Sequence, residues 1–292
     1  VPPADSTTHE PSLFVRVKMQ RHVRGDVAFT LAVEYAFPVG ITVLLGPSGA
    51  GKTTLLDCIA GLCTPTDGVV RVGRDVLFDS ASGTNVPTHE RGVAYVLQEG
   101  VLFPHLSVAR NVGYGLRRLT RRRREALVRD ILESFGIGHL AARTPRQISG
   151  GEQQRVALAR SLVTSPSALL LDEPMSSLDF ETKAQILEDL RRWIQDRPIP
   201  VVYVTHDHDE WIMLGERTCR MENGHIERSP SAVSLPAVRP LTQSHSDRAG
   251  EPTTRVCRVD GTDVLLSVTG IDATPGAKVK LEVVATVIEP NP

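Results

Sequence analysis

Apolar and polar positions alternate from residue 13 onward. Leu13, Val15 and Val17 fall on one side and Arg16 and Lys18 on the other, the period of a half-buried strand. A second strand-like stretch covers 28–35. Residues 41–45 are a short, mostly apolar run, the pattern of a strand covered on both faces. A glycine-rich segment, Gly46 to Gly51, follows, and 53–62 then has helical composition, so the order is strand, glycine loop, helix. Further strands are predicted at 69–72, 93–97, 168–171 and 200–205, and helices at 121–135, 151–165, 181–195 and 209–214. Strands alternating with helices predict an α/β fold with a largely parallel sheet. The mostly helical region from about 98 to 165 predicts a helical insertion into it.

The pattern breaks at both ends. Residues 1–11 are polar, with two adjacent prolines, and read as a disordered tail without the apolar core of a secretion signal. Residues 229–252 hold four prolines and several serines without periodicity, a linker composition. Beyond it, 255–259 and 264–268 are β-rich and flank Asp260-Gly261, a hairpin signal, and 278–288 is a third strand region. This all-β segment, 253–292, is only about 40 residues, short for independent stability.

Composition narrows the function classes. Lys+Arg is 33 and Asp+Glu is 34, so the chain lacks the basic excess of a general nucleic-acid binder, and no nucleic-acid partner is expected. No apolar run approaches the roughly 18 residues of a membrane span. The four cysteines, Cys58, Cys63, Cys219 and Cys257, form no CxxC pair and suit reduced thiols better than a disulfide framework. Only five residues are lysine, Lys18, Lys52, Lys183, Lys278 and Lys280, so a lysine at a motif position carries weight. Arg117, Arg118 and Arg121 to Arg124 form a basic run that reads either as a solvated helix face or as a contact for anionic lipid headgroups.

One motif supplies that lysine. Gly46, Pro47, Ser48, Gly49, Ala50, Gly51, Lys52, Thr53 and Thr54 fit GxxxxGK[ST] between a buried strand and a helix. Glycines let successive N–H groups curl around phosphate oxygens, and the helix N-terminus adds its positive dipole end. Lys52 would reach the outer phosphates of a nucleotide, and the Thr53 hydroxyl would ligate Mg²⁺. At the end of an apolar run, Leu169-Leu170-Leu171, stand Asp172 and Glu173, the first placed to hold Mg²⁺ and the second to orient the attacking water. Ser149, Gly150, Gly151 and Glu152 open an apolar helix as a second anion cradle. An ordinary capped helix start explains Ser149 and Glu152 but not Gln153-Gln154-Arg155. A second cradle makes sense if it serves a partner's nucleotide.

Together these motifs resemble the ATP-binding subunit of ABC transporters. Gly46–Thr54 resembles its Walker A, Leu169–Glu173 its Walker B and Ile148–Arg155 its signature. Gln98 resembles the Q-loop glutamine, Ser176-Ser177-Leu178-Asp179 the D-loop and Thr205-His206-Asp207 the H-loop. The resemblance covers about 13–228 and implies a P-loop NTPase domain over 12–228, with a helical subdomain at about 99–165. It implies a head-to-tail homodimer that sandwiches two ATP, each held by the Walker residues of one chain and the signature of the other. Carried over, Gln98 senses Mg²⁺ and the γ-phosphate, Glu173 is the catalytic carboxylate, His206 contacts the γ-phosphate and Asp179 belongs to the nucleotide site. A metal cluster in His206-Asp207-His208-Asp209-Glu210 is the competing reading of that segment. The family's adenine-stacking aromatic is missing from 21–28, which leaves His22 or Arg24 for the base, and Leu97 replaces the usual Phe before Gln98.

Val76-Leu77-Phe78-Asp79-Ser80, Gly83, Pro87, Arg91 and Leu102-Phe103-Pro104-His105-Leu106-Ser107-Val108 look most like molybdate importers, whose ATPases end in a β-rich oxyanion-binding domain. The segment 253–292 resembles the first part of such a domain, a partial OB-like fold. The resemblance implies an ATPase at the cytoplasmic face of the membrane, peripheral, working with integral permease subunits and, indirectly, a substrate-binding protein. Importers of sulfate, polyamine, iron or sugar are the alternatives, then a soluble ABC ATPase of DNA repair or translation, then an ATP-binding regulator without activity.

Overall fold

The computed structural model describes residues 12–23, 26–97, 102–176, 178–214, 217–227, 238–240, 253–259, 265–270 and 284–286, with side chains except at 21–23, 26–28, 208, 209, 212 and beyond 227. The predicted tail, Gln98 and the Asp260-Gly261 turn lie outside these residues, as do the side chains of His22 and Arg24. The chain divides into two units, 1–232 and 233–292.

In the first unit, β1 (Leu13–Val23), β2 (Asp26–Phe37), β4 (Asp67–Val72), β5 (Asp75–Asp79) and β6 (Thr84–Asn85) form an antiparallel sheet in the order β2-β1-β4-β5-β6. A second sheet is built from β3 (Gly40–Leu45), β7 (Val93–Val96), β8 (Ala168–Asp172), β9 (Pro200–Val204), β10 (Thr218–Glu222) and β11 (His225–Glu227), in the order β11-β10-β3-β9-β8-β7. Its members pair in parallel except for β11 at the edge.

The helices are α1 (Lys52–Ala60), α2 (Val108–Val112), α3 (Arg121–Ser134), α4 (Gly150–Leu162), α5 (Phe180–Asp196) and α6 (His208–Leu214). Side chains of β8 alternate between two cores. Ala168 and Leu170 join a cluster with Leu55, Leu56 and Ile59 of α1 and the inner face of β1 and β2. Leu169 and Leu171 join a cluster with Val112, Ile131, Leu132, Val156 and Leu187 of α2 to α5. Two-sided burial is why this strand reads as unbroken hydrophobic sequence. It also leaves polar residues only at its end, where Asp172 and Glu173 emerge.

The predicted elements appear with end shifts of a few residues. Helix α4 stops at Leu162 rather than 165, where Ser165 turns to φ 53°. The pattern did not disclose β5, β6, α2, β10 or β11. Three of these are five residues long, less than two helical turns or three strand periods, and two are shorter. The β10–β11 hairpin nevertheless carries a turn signal in Asn223-Gly224, whose positive φ values of 47° and 79° are those the two-residue hairpin turn requires.

The second unit holds β12 (Val238–Pro240), β13 (Thr253–Val259), β14 (Leu265–Gly270) and β15 (Val284–Thr286), an antiparallel sheet in that order. Strand β12 lies inside the stretch whose composition reads as linker. Three residues are too few for a periodic signal, and Pro240 is tolerated because β12 is an edge.

Arg91 fixes the far end of α1. It is buried, and its Nη1 donates to the carbonyls of Cys58 (2.9 Å) and Ile59 (2.8 Å) at the helix C-terminus. Its Nε donates to the Val86 carbonyl and its Nη2 to Asn85 Oδ1, both at 2.8 Å. Carbonyls of a last turn lack the usual helical partner four residues on, although that of Cys58 also accepts from the Gly61 N–H at 3.3 Å. Replacing Arg91 with Met should cost about 3 kcal/mol, because buried acceptors lose a charged donor. The check is the urea midpoint. An unchanged midpoint would show that the guanidinium does not hold this helix end.

Candidate nucleotide site

The glycine loop lies between β3 and α1, and its glycines are imposed by neighbours as well as by conformation. A Cβ on Gly46 (φ 151°) would sit 2.2 Å from the Met221 carbonyl oxygen, and one on Gly51 (φ 102°) 2.4 Å from the Phe29 ring. Phe29 therefore braces the loop from behind. It stands one residue past the stretch searched for an aromatic, and nothing in its sequence context announces a bracing role.

Lys52, 7% exposed, folds its ammonium over the loop and donates to the carbonyls of Gly46 (2.7 Å) and Pro47 (2.9 Å). Burial lowers its pKa, and the charges of Glu173 and Asp172 work against that shift. Asp172 ends β8 beside this ammonium. Burial pushes its carboxyl above the ordinary aspartate value, while hydrogen bonds from Thr53 and Tyr95 and the Lys52 charge pull the other way. The Tyr95 hydroxyl donates to Asp172 Oδ2 at 3.3 Å. Tyr95 is a functional neighbour that sequence reading missed, since 77 residues separate it from Asp172 and only the β7–β8 pairing joins them.

Glu173 has φ 46°, a left-handed conformation uncommon for a non-glycine residue. Its N–H donates to the Val204 carbonyl at 2.9 Å, which seats this turn on the end of β9. Its Oε1 lies 3.0 Å from His206 Nδ1. The structure thus brings Lys52, Thr53, Asp172, Glu173 and His206 to the C-terminal edge of the parallel sheet, where open α/β sheets bind ligands. Among the described residues no group of three or more His, Cys, Asp or Glu could hold a metal, and the side chains of His208 and Asp209 lie outside those residues.

The second group of predicted residues opens α4. Ser149 caps the helix: Glu152 N–H donates to its Oγ at 3.3 Å, and Glu152 Oε2 accepts from Ser149 N at 2.7 Å and Oγ at 2.9 Å. These bonds hold Glu152 below the usual glutamate pKa. Ser149 and Glu152 therefore form a capping box. Gln153 and Arg155 also have structural partners. Gln153 Nε2 donates to the carbonyls of Pro145 (3.2 Å) and Ile148 (3.3 Å), and Arg155 Nη1 donates to Phe135 O (2.9 Å) and pairs with Asp189 of α5.

A Cβ on Gly151 would meet Thr182 Cγ2 at 2.5 Å, so α4 and α5 begin in close contact. Asp179 caps α5 by accepting from Thr182 N (3.0 Å) and Oγ1 (2.8 Å), and both bonds lower its pKa. Three residues of the basic run, Arg117, Arg121 and Arg124, share a third location with Arg110 and Arg129, a groove of about 740 Å³, with Arg117 stacked 3.9 Å from the Tyr114 ring centre.

Comparison with known proteins agrees with this geometry. The family described as ABC transporter matches residues 35–176. The chain is 42% identical over 229 residues to the molybdenum import ATP-binding protein ModC 1 of Azotobacter vinelandii, covering 78% of this chain and 63% of that one. It is 43% identical over 215 residues to the molybdate/tungstate import ATP-binding protein WtpC of Archaeoglobus fulgidus, covering 73% and 85%. The matched region thus spans about three fifths of the ModC relative and most of WtpC. Among solved structures, the dimeric structure of MJ0796, described as a bacterial ABC transporter cassette, superposes with a TM-score of 0.62 at 28% identity, covering 74% of this chain and 97% of that one. A second MJ0796 structure, described as a post-hydrolysis state bound to ADP and Pi, gives 0.60 over the same shares.

A buried carboxylate that costs stability has a pH signature. Because the Asp172 pKa is raised on folding, its ionised form destabilises the folded chain. That cost appears as pH rises from the ordinary aspartate value through the raised one, and is absent below both. Asp172→Asn should therefore stabilise the protein at pH 7 by on the order of 1 kcal/mol. The gain should shrink as the pH falls through the raised value toward the ordinary aspartate value and be gone below it. Thermal unfolding across pH 3.5–8 (an experimental window of about that width) checks this, and a variant less stable than wild type at pH 7 would contradict it.

Proposed function

We propose, on the premise that the chain belongs to the ABC transporter family of ATP-binding subunits, that it hydrolyses ATP to power import of molybdate or tungstate. The observation that carries the ATPase reading is the convergence of Lys52, Thr53, Asp172, Glu173 and His206 at one sheet edge. The ion is supported by the two relatives named as molybdenum and molybdate/tungstate import proteins.

The N–H groups of the glycine loop and of the first turn of α1 would receive phosphate oxygens, with Lys52 moving its ammonium from the loop carbonyls to the outer phosphates. Thr53 Oγ1 and the Asp172 carboxylate already contact each other and are hard oxygen donors, so the residues fit Mg²⁺. When bound, Mg²⁺ supplies neutralisation of charge on the phosphates. Glu173 would accept the proton of the attacking water. His206, by donating an Nδ1 proton to Glu173, would hold that carboxylate in place and leave Nε2 for the γ-phosphate.

The N–H groups at the start of α4, set by Ser149, Gly150 and Gly151, would close over the nucleotide of a second copy, with Asp179 in the same contact region. Gln98 would sense the γ-phosphate and Mg²⁺. We read residues 12–228 as the ATPase domain, 229–252 as the connection and 253–292 as part of an oxyanion-binding domain. No helix among the described residues is long and apolar enough to cross a membrane, so the transport path would belong to permease subunits, fed by a substrate-binding protein, with this chain peripheral on the cytoplasmic face.

Glu173→Gln should lower ATP turnover by about 10²- to 10⁴-fold while ATP affinity stays within a few-fold. With ATP bound, the variant should run as a dimer in size-exclusion chromatography. Undiminished turnover would remove Glu173 as the base. For the transported ion, cells grown at scarce molybdate without this protein should hold less molybdenum, restored by the wild-type chain and not by Glu173→Gln. Unchanged molybdenum content would contradict the molybdate reading and leave the ATPase reading standing.

A further inference from the structure

A second lysine is as deeply placed as Lys52, and the transfer of phosphate gives it no task. Lys183 lies in the first turn of α5, four residues after the cap Asp179, and its side chain is 8% exposed. Its ammonium pairs with Asp207 and with Glu210 Oε1, the latter at 3.0 Å. Glu210 belongs to α6 and is buried, and its Oε2 accepts from the Tyr203 hydroxyl of β9 at 2.8 Å. Burial opposes the Lys183 charge, but the bonds to Asp207 and Glu210 outweigh it and raise the lysine pKa.

This network lies directly behind the catalytic pair. Asp207 follows His206 in the chain, and its N–H donates to Thr205 Oγ1 at 3.0 Å. The strand that leads into this segment, β9, also supplies the Val204 carbonyl that seats Glu173. Lys183 thus holds Asp207 while Glu173 meets the adjacent His206. At the other end, α5 begins against α4 through Thr182 and Gly151, and Thr182 is the neighbour of Lys183.

We propose that Lys183 is a positioning residue that locks His206 beside Glu173 and makes that placement depend on the seating of α5 against the first turn of α4. The proposal rests on the ATPase reading above and adds a consequence to it. The α4 cradle, which would meet the partner's nucleotide, and the pair that would activate water in the same chain are joined through one short rigid path: Gly151, Thr182, Lys183, Asp207, His206. Lys183 is the shared cation of the two carboxylates, so removing it would leave the buried Glu210 without its ion-pair partner.

The test compares Lys183→Met, Lys183→Arg and the double variant Lys183→Met/Glu210→Gln in the full-length chain. The double variant removes one charge of each sign and so guards against simple misfolding. A lysine that only stabilised the fold would, in a folded variant, leave kcat unchanged. The proposal instead expects the folded double variant to keep ATP affinity and KM within about threefold and to lose kcat by about 10- to 100-fold, as misplacement of a reacting group does. Lys183→Arg should recover most of kcat. A folded double variant with wild-type kcat would overturn the proposal, as would equal losses in affinity and turnover. Absence of turnover in the wild-type chain would remove the ATPase reading itself, a result separable from either.

Discussion

The site depends on one constraint: two adjacent carboxylates must leave a strand buried along its whole length and remain usable. Strand β8 is covered on both faces, so Asp172 is pushed toward its neutral form by burial alone. Thr53 and Lys52 from the start of α1 and Tyr95 from β7 act against that push. Glu173 escapes burial by turning out of the strand into a left-handed conformation, anchored by the Val204 carbonyl and met by His206. The ionised form is therefore held by neighbours rather than by water. A group in that state exchanges easily between partners when phosphate and a cation arrive.

The parts of this arrangement visible in the sequence were those with a local pattern. The glycine loop, the apolar run ending in Asp172-Glu173 and the capped start of α4 each carry spacing that dictates their geometry. The parallel sheet followed from strand–helix alternation. Invisible were contacts made only by pairing of distant strands or helices, such as Tyr95 with Asp172 and Lys183 with Asp207 and Glu210. Phe29 behind Gly51 belongs to the same class. Short elements such as α2 and β6 also escaped, because five residues or two do not complete a pattern. The capping box of α4 shows the converse. The sequence offered a plain helix cap and an anion cradle as rivals, and the structure makes Ser149 a cap, with Glu152 N–H bonded to its hydroxyl.

The described contacts sort the motif residues into two groups, one around Lys52 and Asp172 and one around Ser149 and Asp179. Arg155 and Asp189 tie α4 to α5, and Lys183 ties α5 to the His206 segment, so the second group is mechanically close to the first group's catalytic pair.

The central claim, that the α4 cradle acts on a second copy's nucleotide, is tested most directly by measuring ATP affinity and association state together. Glu173→Gln and Glu173→Gln/Ser149→Arg should bind ATP as monomers with dissociation constants equal within about twofold, a difference under roughly 0.5 kcal/mol. With saturating ATP, only the first should convert to a dimer in sedimentation. A tenfold weaker affinity in the monomeric double variant, or a dimer that forms regardless of Ser149→Arg, would contradict the account.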